Sequence, residues 1–207
     1  GCGGIINRFR NDVLFKVIFI AEGTTCRFNN PTHPDVQKEI KIRNEYSKNS
    51  LNVIGVTNYK FYNLPCGKLD QVPQIKINKI IENEINNFQP DTVFTHWHSD
   101  SNVDHRKVYD ATIIATRPNS IVKQVYAYEV LSSSEWGFKD SFLPNTFFSL
   151  SLEDINNKCK AMNCFISEER PWPFPRNKKG ITVQAEQRGM QSGNEYAEAF
   201  KLIRKNI

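Results

Sequence analysis

The sequence has no apolar run long enough to cross a membrane, which takes about 18 consecutive apolar residues. It also shows no secretory leader. Its five cysteines are an odd number, and none of them belongs to a C-x-x-C pair. These features argue against a disulfide framework and against a structural zinc knot. Reduced thiols in a cytoplasmic protein are the simplest interpretation.

The excess of positive over negative charge is also small. The chain carries 27 basic and 22 acidic residues, a formal net charge of +5. Neither a block of Lys and Arg nor a basic stripe interleaved with aromatic residues is present, so nucleic acid is not an expected partner. The short basic clusters at Lys178-Lys179 and from Lys201 to Lys205 are interpreted as solvated surface. A small, anionic substrate remains compatible with this charge.

Short apolar runs alternate with amphipathic stretches along the chain, which predicts a single α/β domain over residues 1–207 with a mostly parallel sheet. The predicted strands are 13–21, 59–62, 91–96, 122–130 and a segment near Phe147. The predicted helices are 35–51, 73–88, 103–116, 153–164 and two closing helices. The second closing helix is expected to begin at Ser192, with Glu195 at capping-box spacing.

Most of the histidines lie within one window of ten residues, 96–105. It contains three of the four histidines together with two aspartates and an asparagine: His96, His98, Asp100, Asn102, Asp104 and His105. The window follows a predicted strand, and ligands of open α/β sheets bind where strands end. Imidazole and carboxylate suit Zn²⁺, which needs three protein ligands and an open position for catalysis. The alternative is a polar loop whose histidines bond only to the backbone.

Four segments, in order along the chain, resemble motifs of the LmbE/PIG-L family of zinc-dependent N-deacetylases. They are GCGG at 1–4, IRNE with IGV at 42–45 and 54–56, THWHSDSNVDHRKV at 95–108, and RG with YAEAF at 188–189 and 196–200. The resemblance implies a Rossmann-like sheet with helices on both faces. It also implies that GCGG opens a helix behind the metal.

Residues of the third segment take on roles from the resemblance. His105 matches the zinc ligand of the family, and Asp104 matches the neighbouring carboxylate, which orients imidazole groups. Asn102 stands where many members have a histidine that polarises the substrate carbonyl. An amide can donate a hydrogen bond to an oxyanion but cannot supply a proton. The general acid is therefore open, with His98 or His96 as candidates.

Two arginines are candidate substrate-binding residues. Arg43 matches an arginine that the family uses near the substrate, and a solvent-facing helix residue is the alternative interpretation. Arg27 lies in the loop that follows the first predicted strand and is a second candidate.

The first motif of the family, AHPDDE, supplies two zinc ligands and the general base, and it would lie upstream of Gly1. The segment His33-Pro34-Asp35-Val36 is a poor substitute, because Val36 replaces an aspartate and the segment follows the first predicted strand instead of preceding Gly1. We therefore expect the chain as given to be incomplete, to lack the first strand of its sheet and to be inactive alone.

The implied function is zinc-dependent removal of an acetyl group from an N-acetylhexosamine, such as N-acetylglucosamine, or from a conjugate of such a sugar. Two alternatives stay open. The protein either deacylates a non-sugar amide or is a non-catalytic homologue without a metal site. A homo-oligomer is also left open, with the Pro-rich segment near Trp172 as a candidate contact.

Overall fold

The computed structural model describes all 207 residues and confirms the mixed α/β fold. Its strands are β1 (Lys16–Ala21), β2 (Asn58–Leu64), β3 (Thr92–His96), β4 (Gln124–Tyr128), β5 (Thr146–Leu150) and β6 (Tyr196–Lys205). Its helices are α1 (Gly3–Phe9), α2 (Pro34–Val53), α3 (Gln74–Phe88), α4 (Val103–Ala115), α5 (Leu152–Asn163) and α6 (Lys178–Ser192). None of these helices is both long and apolar enough to span a bilayer.

The strands form two hydrogen-bonded sheets. Strands β1 and β2 pair in parallel, and the second sheet has the order β3-β4-β6-β5. In that sheet β3 and β4 are parallel, whereas β6 runs antiparallel to both β4 and β5. The two crossovers, β1-α2-β2 and β3-α4-β4, are βαβ units that bring the carboxyl ends of paired strands to the same edge. A further strand at the start of the sheet stays a prediction.

Alternating side chains cover the two faces of the strands with different helices. Ile18 and Ile20 of β1 pack into a core with α3 and α4, whereas Val17 and Phe19 pack beside α2. Strand β4 behaves in the same way, because Val125 joins the first core and its neighbour joins the core of α1, α5 and α6. This period of two is expected when both faces of a sheet are buried. Helices therefore lie on both faces, as predicted.

The clearest helical pattern in the sequence becomes α3. Ile77, Ile81 and Ile85 recur at helical spacing and are exposed by only 0, 4 and 5%. The helix ends at Gln89, which adopts the left-handed conformation with φ of 55° and donates its N–H to the carbonyl of Ile85. A left-handed residue of this kind commonly ends a helix.

The prediction of a second closing helix from Ser192 is wrong, because that segment forms β6. Gly193 ends α6 in the left-handed conformation, and the Ser192 hydroxyl donates back to the carbonyl of Arg188 instead of capping a new helix. Strand β6 lies between β4 and β5, so residues 197–200 are buried on both faces. A strand buried on both faces shows no polar–apolar alternation that would distinguish it from a helix.

The first and last motifs of the chain meet at α1. Glu198 of β6 accepts hydrogen bonds from the N–H groups of Gly4 (2.7 Å) and Ile5 (2.8 Å), which would otherwise lack partners at the start of the helix. A carboxylate at this end also complements the helix dipole. Lys158 of α5 balances its charge at 2.7 Å. A side chain on Gly4 would come within 2.8 Å of the Glu198 carboxylate, so glycine permits this close approach.

Replacing Ile77 with Ala should lower the free energy of unfolding by about 2–5 kcal/mol, because the change leaves a cavity in a closed core. Ile75→Ala in the same helix is the matched control, since Ile75 is 61% exposed and should cost under about 0.5 kcal/mol. Urea unfolding followed by circular dichroism measures both. Equal losses would show that α3 does not face the core in this way.

Candidate active site

The loop between β3 and α4 sets the site at the carboxyl end of β3. Asn102 caps α4, its side-chain oxygen accepting the N–H of Asp104 at 2.8 Å. The Asn102 N–H in turn donates to Asp100 at 2.8 Å. These two local bonds fix the turn, so His105 in the first turn of α4 lies beside His96, the last residue of β3.

Asp100 is fully buried and faces His105. One of its oxygens lies 3.0 Å from His105 Nδ1, a close contact that does not have the geometry of a hydrogen bond. The hydroxyls of Ser133 and Ser134 donate to the same carboxylate. Burial raises the pKa of Asp100, but His105 and Ser133 outweigh it and lower the pKa to about 2. An ionised carboxylate at Nδ1 favours a proton there and leaves the Nε2 lone pair free.

His96 stacks on His105. Their ring centroids are 4.2 Å apart and the planes differ by 18°. His96 Nε2 lies 3.1 Å from the Tyr128 hydroxyl, whereas its Nδ1 is shielded from solvent without a partner. Burial, together with the neighbouring His105, lowers the pKa of His96 well below its usual value. Burial raises the pKa of Tyr128 well above its usual value. Both groups are therefore neutral near pH 7.

The side chains of this chain do not fit a complete zinc site. A catalytic zinc needs three protein ligands. No three His, Cys, Asp or Glu side chains are arranged to hold one ion. His105 offers one nitrogen with a carboxylate behind it, which is how zinc-bound imidazoles are usually supported. His105 thus fits one ligand position, and its role stays a prediction.

Asp104 anchors a neighbouring loop. Its carboxylate accepts the N–H groups of Gly67 (2.6 Å) and Leu69 (3.0 Å), in the segment that follows β2. The carboxylate in contact with His105 is that of Asp100. The role of Asp104 beside the imidazole stays a prediction. The five-residue spacing from Asp100 to His105 was visible in the sequence, but the motif comparison pointed to the adjacent aspartate.

The other candidates for acid and oxyanion roles lie around the same loop. His98 Nε2 is 2.9 Å from Asp140, and its ring packs on Trp97 and Tyr109. No contact joins it to His105. Asn102 is exposed, and its side-chain nitrogen makes no hydrogen bond within the protein. The roles of both residues stay predictions.

Arg27 and Arg43 converge on a carboxylate that the sequence did not single out. Glu168 is buried and forms ion pairs with Arg27, Arg43 (2.7 Å) and Arg176. Three guanidinium groups on one carboxylate leave an excess of positive charge. Arg27 and Arg43 also line an open cavity of about 420 Å³.

Sequence spacing could not reveal this cluster, because Glu168 lies 125 residues beyond Arg43 and in an irregular segment. Gly23 makes room for the Arg43 side chain in this cluster. A Cβ at position 23 would lie 2.3 Å from Arg43 Nε, and the φ of +74° also favours glycine there.

Glu168→Gln should make the free energy of unfolding depend less on pH in the acid range. Burial raises the pKa of Glu168, but its bonds to Arg27 and Arg43 outweigh this and lower the pKa to about 2, below its usual value of 4.5. A depressed pKa stabilises the folded state fully above about pH 4.5, and the contribution, roughly 2 kcal/mol, is lost as the pH falls towards 2. The wild type should therefore lose more stability between pH 5 and pH 3 than the variant. Urea unfolding at both values tests this, with the exposed Glu169→Gln as control.

Comparison with known proteins finds one matching family and several solved structures of similar fold. The family model for PIG-L, GlcNAc-PI de-N-acetylase, matches residues 1–116. No curated protein matches the chain by sequence. N,N'-diacetylchitobiose deacetylase from Pyrococcus horikoshii, complexed with its inhibitor MPG, is 18% identical with a TM-score of 0.74, over 99% of this chain and 78% of that one.

Two other solved structures are similar. A deacetylase–teicoplanin complex from the teicoplanin pathway has a TM-score of 0.76 at 15% identity, over 100% of this chain and 94% of that one. GalB, the 4-carboxy-2-hydroxymuconate hydratase from Pseudomonas putida KT2440, has a TM-score of 0.75 at 19% identity, over 99% of this chain and 90% of that one. These likenesses concern the fold. Since the family model covers more than half of the sequence, the chain belongs to the PIG-L family.

Proposed function

We propose that this protein is an N-deacetylase that removes the acetyl group of an N-acetylhexosamine-type substrate. The observation that carries the proposal is the His105 imidazole, held by the buried Asp100 carboxylate at the carboxyl end of β3. Ligands of open α/β sheets bind at this end of the strands. Membership of the PIG-L family supports the reaction class. Deacetylases among the proteins of similar fold agree with it.

Zinc is the proposed cofactor, and His105 is proposed to supply one of its ligands. Asp100 would hold the imidazole so that Nε2 faces the ion, the usual arrangement behind a metal-bound histidine. The side chains of residues 1–207 do not by themselves make a complete zinc site.

Hydrolysis of the amide forms a bond between the acyl carbon and the oxygen of water, and breaks the bond from that carbon to nitrogen. The nitrogen gains a proton, so the products are an amine and acetate. Asn102 is proposed to help, because its side-chain nitrogen makes no hydrogen bond within the protein at the start of α4. It can donate a hydrogen bond to the carbonyl oxygen as negative charge develops there. The dipole of α4 adds to this stabilisation.

The proton for the leaving amine requires another group, because an amide side chain cannot supply one. His98 is the proposed donor. Its Nε2 now faces Asp140 at 2.9 Å, so the side chain has to turn away from Asp140 to reach the substrate. Asp104 contributes by holding the loop at Gly67 and Leu69 against the start of α4.

Arg27 and Arg43 are proposed to bind the substrate beyond its acetyl group. Both line the open cavity beside Glu168. Their planar donors suit the hydroxyls of a sugar or an anionic group attached to it. Glu168 holds both guanidinium groups in place, so little conformational entropy is lost when a ligand binds.

His105→Ala should abolish zinc binding and lower acetate release from N-acetyl sugars by at least about 100-fold, since even residues that only support a metal ligand are worth about 10–100-fold. His33→Ala is the matched control, because that imidazole is half exposed and caps α2. The two measurements on the full-length protein are elemental analysis and an acetate assay on a panel of N-acetyl sugars and N-acetylated non-sugar amines.

Three outcomes of this experiment separate the candidate functions. Stoichiometric zinc that disappears only in the His105 variant supports the deacetylase. Activity confined to non-sugar amides would overturn the sugar specificity. A full-length protein that contains no zinc in any preparation would instead support a non-catalytic homologue.

Arg43→Ala should raise KM for the N-acetyl sugar substrate by about 10-fold or more while kcat changes less, because a charged hydrogen bond is worth about 1.5–3 kcal/mol. Glu168 would keep Arg27 and Arg176, so the cluster should survive. Lys41→Ala removes the same charge from an exposed position of α2 and should leave KM unchanged. An equal rise in both variants would point to a general effect of charge instead of a binding residue.

A further inference from the structure

Two cysteines lie in contact beside the candidate site. Cys26 is in a short 3-10 helix, Thr25–Arg27, in the loop that follows β1. Cys66 follows β2. Their sulfur atoms are 3.2 Å apart, although 40 positions separate them along the chain. A disulfide bond is about 2.05 Å long, so the two sulfurs need to move only about 1 Å closer to bond.

The surrounding backbone holds both cysteines in place. The buried carboxylate of Glu22 accepts the N–H of Thr25 at 3.0 Å with one oxygen and the N–H of Cys66 at 2.8 Å with the other. One side chain thus fixes both loops. Gly67 provides the space, because with φ of +71° a side chain there would lie 2.9 Å from Cys26 Cβ.

The five cysteines differ in what surrounds them. Cys26 is exposed and Cys66 is partly buried, whereas Cys159 is buried in the core. Burial, and then the neighbouring Cys26, raise the pKa of Cys66 to about 12. The exposed sulfur of the pair is therefore the one that meets a soluble oxidant first, and Cys66 is placed to react with it.

We propose that Cys26 and Cys66 are a reversible redox pair, which a peroxide closes to a disulfide and a small thiol reopens. The Cys26 thiolate attacks hydrogen peroxide, so that an S–O bond forms and the O–O bond breaks, which leaves a sulfenic acid on Cys26. The hydroxide that leaves takes up the proton that the Cys26 thiol had lost and becomes one water. Cys66 then attacks this sulfur. The S–S bond forms, the S–O bond breaks, and the oxygen leaves as a second water with the Cys66 proton. The two sulfurs lose two electrons in total, and the peroxide gains them. In the reverse direction one small thiol breaks the S–S bond and forms a mixed disulfide, and a second breaks that bond, so that both cysteines regain their thiols and the small thiols leave as their own disulfide.

The cross-link would fix the edge of the candidate site. Arg27 directly follows Cys26, and Gly67 directly follows Cys66 and donates its N–H to Asp104. A disulfide between them would tie the loop after β1 to the loop that holds the start of α4. It would also restrict the unfolded chain by closing a long loop, so the oxidised protein should be the more stable form. The cysteine chemistry itself does not depend on deacetylation.

The test is titration of the reduced full-length protein with hydrogen peroxide. The intact mass should fall by about 2 Da as two thiols become one disulfide. Peptide mapping should find Cys26 linked to Cys66, and the midpoint of thermal unfolding should rise by several degrees. Dithiothreitol should reverse both changes. Cys26→Ser and Cys66→Ser should each abolish the loss of about 2 Da, and the Cys66 variant should instead gain oxygen at Cys26. Cys164→Ser should retain that loss.

Circular dichroism of each variant checks that the fold survives the substitution, so that loss of the reaction is not loss of the protein. Alkylation of the folded wild type provides a second measurement, because iodoacetamide should modify Cys26 before peroxide is added and thereby block the cross-link. The proposal fails if another pair of cysteines accounts for the disulfide. It also fails if peroxide oxidises Cys26 to the sulfinic acid without any linked peptide.

Discussion

The candidate site depends on one buried charge. Asp100 has no exposed surface, and an isolated carboxylate in such a place would take up a proton. It stays ionised because three donors bind it, namely the hydroxyls of Ser133 and Ser134 and the Asn102 N–H, and because the His105 ring lies 3.0 Å away. These groups come from the loop after β3, from the first turn of α4 and from the turn after β4. The same contacts that keep the charge therefore fix the position of His105.

Local patterns predicted most of the fold, because the periodicity of a helix or a strand shows in residues that are close together in the sequence. The apolar spacing of α3 and the β-branched run of β1 are examples. Strand β6 was missed since its burial depends on β4 and β5, which lie far away in sequence. The candidate site also has a part that local sequence predicts and a part that it does not. The histidine window was visible, whereas Glu168 meets Arg27 and Arg43 only through the tertiary fold. Asp100 was within the window, but its burial was not predictable from spacing.

The fold alone does not select a reaction. A hydratase and several deacetylases share it with this chain at similar TM-scores. Function has to be argued from side chains placed at the strand ends. Here the arginine cluster on one side and the histidine–aspartate pair on the other differ in chemistry. The arginine cluster carries an excess of positive charge, which suits an anionic or hydroxyl-bearing group. In the pair, Asp100 orients the His105 imidazole, which suits the binding of an ion or of a reacting group.

The two halves of this edge are joined through a single loop. The N–H groups of Gly67 and Leu69 bind Asp104 in α4, and the N–H of the preceding Cys66 binds Glu22 after β1. A shift of that loop would therefore act on both the arginine and the histidine side. Gly67 has to be glycine both for its positive φ and for the nearby Cys26 side chain. The contact between the two cysteines is thus a consequence of the way the loops are packed to support the site.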